Sequence, residues 1–166
     1  MPKSKVEKKT PANNIEAIYT DTTCDQGYAT YTTILFGRGE KVLLSQRKLY
    51  TTDTDIVDLL SIVEALISCE SRGIDAAIYS RNQTAIDLVY DIAYYTKPNF
   101  NCQTELVRVR IENAVSWLME NEFPNQVLKY TMTPEIQSEF DKAERDRVLF
   151  NDSLQSTDTA LDAFFR

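Results

Sequence analysis

Histidine is missing from all 166 residues. With it go the commonest general base and the commonest transition-metal ligand, so serine–histidine–aspartate and cysteine–histidine mechanisms are excluded. No apolar run approaches the ~20 residues that span a bilayer. The opening MPKSKVEKKT has no apolar stretch behind its lysines, so no secretory leader is expected. Cysteine is scarce and odd in number: Cys24, Cys69 and Cys102 lie far apart, which suggests reduced thiols rather than a disulfide framework or a zinc site. Together these absences predict a soluble intracellular protein, cytoplasmic or in the nucleoid or nucleus, without membrane contact. Positive charge is also short. A net charge of −7 argues against strong non-specific nucleic-acid binding, which needs clustered Lys and Arg to displace counterions. The deficit is uneven, because residues 1–14 carry Lys3, Lys5, Lys8 and Lys9 against one glutamate, leaving the tail at +3 and the remainder at −10. That flexible basic arm reads as a solubilising tail or as a weak phosphate contact.

What is present suits one ordinary globular domain, 43% hydrophobic and 26% charged. Ile15–Cys24, Tyr28–Phe36 and Lys41–Tyr50 read as three strands joined by short turns at Asp25-Gln26-Gly27 and Gly37-Arg38-Gly39-Glu40. Thr52 to Asp55 offer N-caps to a helix over 55–71, whose Ile56, Leu59, Leu60, Val63, Leu66 and Ile67 keep helical spacing up to Gly73. Ile74–Ser80 is a short buried strand, expected to lie parallel to the first because a helix connects them. Helices follow over Thr84–Tyr95 and about 104–121, then a strand over Gln126–Met132, then a helix from Pro134 to about Leu149. The order βββαβααβα implies an α/β domain with a mixed five-stranded sheet flanked by helices. The predicted organisation is a tail over 1–14, a domain over 15–150 and a polar linker with a terminal peptide over 151–166.

Two strand ends carry related phrases, Ile18-Tyr19-Thr20-Asp21-Thr22-Thr23 and Ile78-Tyr79-Ser80-Arg81-Asn82-Gln83. They resemble the ribonuclease H family, whose first strand ends Tyr-Thr-Asp-Gly-Ser and whose fourth ends Tyr-Thr-Asp-Ser-Gln. The first helix, Asp58-Leu59-Leu60-Ser61-Ile62-Val63-Glu64-Ala65-Leu66, is similar to the family's Glu-Leu-x-Ala-Ile-Ile-Glu-Ala-Leu. Phe140-Asp141-Lys142-Ala143 is similar to its Ala-Asp-Lys-Leu-Ala. The resemblance covers about residues 15–150 and implies a ribonuclease H-like fold. It also implies two-metal-ion hydrolysis of RNA in RNA–DNA hybrids, with carboxylates converging on two Mg²⁺ or Mn²⁺ ions. By this correspondence Asp21, Asp58 and Asp141 are the candidate metal-binding, catalytic acids. Arg81 stands where the fourth acid belongs, and Gln83 is kept. A guanidinium never deprotonates and forks readily onto carboxylates, so Arg81 is expected to take the metal position as a fixed counter-ion. The family's loop histidine has no counterpart in Thr131-Met132-Thr133-Pro134, and Asp53-Thr54-Asp55 replaces its Thr-Asn-Asn. Taken singly, each acid also reads as a helix cap or a solvated group.

Near the C-terminus, Leu161, Phe164 and Phe165 are spaced i, i+3, i+4, so one helical turn brings them to one side. The segment is similar to the peptide with which DNA-replication and repair proteins dock on the sliding clamp, Asp158 standing where that motif has Gln. The alternative is that the two phenylalanines fold back onto their own domain. Of the nine tyrosines, Tyr19, Tyr31, Tyr50, Tyr79 and Tyr90 read as core packing, and so does Trp117.

The leading expectation is a ribonuclease H-like pseudoenzyme with a degenerate site and no cofactor. It would act as a binding or adaptor module in nucleic-acid metabolism, docked on a replication clamp. One alternative is a weak Mg²⁺- or Mn²⁺-dependent ribonuclease of the same type. The other is a structural protein-interaction module with no nucleic-acid role.

Overall fold

The computed structural model describes residues 16–37, 40–51, 53–94, 104–143 and 145. Lys3, Lys5, Lys8, Lys9, Cys102 and the terminal Asp158, Leu161, Phe164 and Phe165 lie outside the described residues, as does the tip of the second hairpin.

Runs rich in β-branched and aromatic residues make β1 (Glu16–Asp25) and β2 (Tyr28–Gly37), and the more polar β3 (Glu40–Tyr50) pairs along β2. Between β1 and β2 the two turn residues both have positive φ, Gln26 at 50° and Gly27 at 83°. That is the signature of a turn whose twist matches its flanking strands, and it closes the ladder at Asp25 opposite Tyr28. Asp53 then caps α1 (Thr54–Arg72), accepting from the N–H groups of Asp55 and Ile56. Gly73, at φ 66°, ends the helix and returns its N–H to the Cys69 carbonyl. Helix α1 packs against β1, β2, β4, α2 and α3, which is why nearly every turn of it is apolar and buried.

The chain continues through β4 (Ala76–Ser80), α2 (Gln83–Tyr94), α3 (Glu105–Glu120) and β5 (Val127–Lys129). A fourth helix, α4, is described over 134–143. The strand order is β3-β2-β1-β4-β5. β1, β2 and β3 pair antiparallel, while β4 lies parallel to both β1 and β5. This is the mixed five-stranded, helix-flanked sheet expected above, including the parallel β1–β4 pair. The last strand is shorter than the predicted 126–132. Tyr130 still donates its N–H to the Ser80 carbonyl, but its hydroxyl crosses to the Thr20 carbonyl at 2.8 Å. Thr133 is already capping α4 through the Ile136 N–H.

Of the tyrosines read as core, Tyr31 is fully buried. Tyr19 and Tyr79 stack at 4.8 Å. Tyr50 departs from the expectation, at 56% exposed. It ends the edge strand and its ring rests near Gly27, which has no side chain to cover it. Cys24 is an exposed free thiol and Cys69 a buried one, its pKa pushed up to about 12 by burial. No helix of the described residues is long and apolar enough to cross a membrane.

Candidate functional site

The site is set by register. Tyr19 pairs with Tyr79 across the parallel β1–β4 ladder, so the next residues along each strand meet in the same offset. Past the end of β4, Arg81 reaches Asp21, while Thr22 and Asn82 both reach Asp58 on α1. Asp21 and Thr22, successive in β1, point to opposite faces of that strand.

On one side, Arg81 Nη1 donates to Asp21 Oδ1 at 3.2 Å, Arg81 half exposed and Asp21 only 12% so. Burial raises the Asp21 carboxyl above its ordinary pKa, and the Arg81 bond, the Arg81 charge and the Thr22 N–H pull part of the way back. Beneath them is an aromatic floor. Tyr19 stacks on Tyr79, and both Phe36 and Tyr130 meet it edge-on at about 5 Å. Burial and the nearby Asp21 charge raise the pKa of the Tyr130 phenol, which keeps it a donor to Thr20.

On the other side, facing α1, Thr22 Oγ1 donates to Asp58 Oδ1 at 2.5 Å. Asn82 Nδ2 donates to Asp58 Oδ2 at 2.9 Å and to Asp55 Oδ1 at 2.8 Å. The amide cannot turn round, since its Oδ1 accepts the Ala85 N–H at the start of α2 and its nitrogen faces two carboxylates. Burial raises the Asp58 pKa most, the Thr22 and Asn82 bonds oppose it, and the Asp21 and Asp55 charges add to it.

Of the residues singled out in the sequence, Asp21, Asp58 and Arg81 are thus brought to one locus. Asp141 is exposed on α4, where Gln137 Nε2 donates to its Oδ1 at 3.1 Å. Among the described residues no bond joins it to the other acids. Gln83 opens α2 and donates to Asp87. Sequence reasoning gave no site role to Asn82 or Thr22, and read Asp55 only as an N-cap candidate and as part of the stretch that replaces the family's Thr-Asn-Asn. The signals were an Asn immediately before a helix, a natural cap, and an Asp one turn ahead of Asp58.

Hard divalent ions need converging oxygen ligands, and the residues present do not fit a pair of them. Both oxygens of Asp58 accept protein donors, and Asp21 accepts Arg81. Among the described residues no group of three or more Cys, Asp and Glu is placed to hold an ion.

No family model matches this chain and no curated protein matches it. Solved structures do: among 55 matching chains is the N-terminal ribonuclease H domain of Rv2228c from Mycobacterium tuberculosis, solved as a fusion with maltose-binding protein. It is 13% identical, with a TM-score of 0.43, over 81% of this chain and 99% of that one.

Proposed function

We propose that this chain is a non-catalytic ribonuclease H-like protein, a binding or adaptor module of nucleic-acid metabolism whose former metal position is filled by its own side chains. The observation that carries the reading is the Arg81–Asp21 contact at 3.2 Å. It puts a permanent cation where the family resemblance calls for an acid and a metal. Asn82 extends the same substitution to Asp58 and Asp55. A protein donor at each carboxylate gives the site a fixed shape with no ion.

Titration with Mg²⁺ and Mn²⁺ by calorimetry, with a labelled RNA–DNA hybrid in the same samples, tests this. Neither heat of binding nor cleavage is expected from the native chain. Arg81→Asp combined with Asn82→Ser removes both donors, and is expected to create divalent-ion binding where Arg81→Asp alone gives less. Asp21-dependent cleavage by the native protein would falsify the reading.

One observation favours the runner-up, a weak metal-dependent ribonuclease. Arg81 is half exposed, so an outward swing of its guanidinium would leave Asp21 and Asp58 without that cation, two of the acids that the ribonuclease reading needs. The same titration separates the two readings.

The terminal Leu161, Phe164 and Phe165, with Asp158 before them, would supply docking on a sliding clamp, a proposal that rests on the sequence pattern. Replacing both phenylalanines by Ala is expected to abolish capture of the chain on immobilised clamp. Capture that survives the replacement removes the docking role.

A further inference from the structure

On the sheet face that carries Asp21, strand pairing lays out three cross-strand rows. They are Asp21–Thr32–Gln46, Thr23–Thr30–Lys48 and Asp25–Tyr28–Tyr50. The first row is the site already described. The last is the open corner of the sheet, where Tyr28 is 40% and Tyr50 56% exposed, the largest aromatic exposures among the described residues. The two rings meet edge-to-face at 5.0 Å. The Lys48 ammonium lies 4.6 Å from the centre of the Tyr28 ring, held there by the negative π-face.

We propose that Tyr50, Tyr28 and Lys48 form a platform for single-stranded nucleic acid, distinct from the Asp21–Asp58 locus. The inference deepens the reading of a nucleic-acid-binding module and rests on it. Three features select this occupant. First, Tyr50 offers a large exposed ring braced by Tyr28, and stacking on such a ring accepts any base. Second, two cations mark the ends of the path. In a body of net −10, this corner holds Lys48 beside the ring with Asp25 in the next row, and among the described residues the half-exposed Arg81, bonded to Asp21, is a second cation towards the same face. Three strand spacings across and two residues along put their backbones about 16 Å apart, so a backbone crossing the rows would pass both. Third, the middle of the path is lined by Thr23, Thr30 and Thr32, with Gln46 donating to Thr32 at 3.1 Å. These short hydrogen-bonding side chains leave the floor flat enough for an extended strand. A duplex, whose bases are already stacked on one another, offers Tyr50 no free base face.

The test is fluorescence anisotropy of the full chain with a labelled oligothymidylate of about 16 nucleotides and with a duplex of equal length. The single strand is expected to bind more tightly than the duplex. Tyr50→Leu should weaken it about tenfold, while Tyr50→Phe, which keeps the ring, should not. Lys48→Gln should lower the slope of log affinity against log salt by about one. Because Tyr50 is exposed, these variants should unfold at the same denaturant concentration as the native chain. Single-strand binding that is indifferent to Tyr50→Leu, or equal affinity for the duplex, overturns the platform and leaves the binding-module reading standing. No binding to any oligonucleotide overturns both.

Discussion

Six residues apart on α1, Asp58 and Glu64 sit in opposite electrostatic situations. Glu64 is fully buried. Arg47 Nε donates to both of its carboxylate oxygens at 2.9–3.0 Å, and the Tyr31 hydroxyl donates to it as well. Burial and the Glu64 carboxylate raise the Tyr31 pKa far enough to keep that phenol a donor. This group ties β2 and β3 to the helix, and the buried acid is held by a cation in contact. Asp58 shares its locus with Asp55 and Asp21, three carboxylates against one bonded guanidinium among the described residues, that of Arg81, which is half in solvent. The same helix therefore carries a settled ion pair in the core and an over-acidic cluster at the strand ends. A buried pair broken on one side leaves an uncompensated charge, whereas an exposed pair broken on one side leaves a solvated one.

The sharpest way to break this contrast is Glu64→Ala. It removes the carboxylate that accepts from Arg47 and from the Tyr31 hydroxyl, and is expected to cost roughly 3–5 kcal/mol in urea unfolding. Replacing both partners by apolar residues, Glu64→Leu with Arg47→Met, should cost much less. If the single and double variants cost the same, the loss is one of packing and not of charge. Arg81→Ala removes a partner of the same chemistry. Because Arg81 is half exposed, solvent screening holds its expected cost below ~1 kcal/mol.

The smallest effect is a dependence on pH. The folded Asp21 and Asp58 carboxyls have pKa values above the ordinary one, so in the window between the two values the folded chain binds more protons than the unfolded chain. Their ionisation therefore costs stability at neutral pH, and that cost is relieved as pH falls through the raised values towards the ordinary aspartate range. Asp58→Asn removes its share. The stability of Asp58→Asn minus that of the native chain should shrink between pH 7 and about pH 4. A difference that grows on acidification would mean that the Thr22 and Asn82 bonds outweigh burial.

The strand order was legible because it follows from local signals. Runs of Thr, Tyr and Ile residues, a Gly at the β1–β2 turn and a cap at Asp53 each act within a few residues. The parallel β1–β4 pairing followed from the helix between them. The Asp21–Arg81 meeting was legible only through the family phrase at each strand end. Thr22 and Asn82, the next residues along, were missed because nothing local shows that a capping asparagine will turn its amide towards a helix packed behind it. Glu64 was read only as part of a helix phrase, for a related reason. A buried acid becomes legible when its partners are known, and Arg47 and Tyr31 come from two other strands. Tyr50 misled because β-propensity measures fit to a pleated surface and not which end of it is covered.

Tyr130 fastens β5 to the sheet at two depths. Its N–H bonds β4 at Ser80 and its hydroxyl reaches past β4 to β1 at Thr20. A three-residue edge strand would ordinarily fray and exchange its amide protons early. Here β5 cannot peel away without releasing the carbonyl next to Asp21, and the residue that holds it also packs under Tyr19. Slow amide exchange should therefore extend from β1 across β4 to the far edge as one cooperative unit. The shape of the Asp21–Arg81 contact is then fixed from below by the sheet and not by the helices around it.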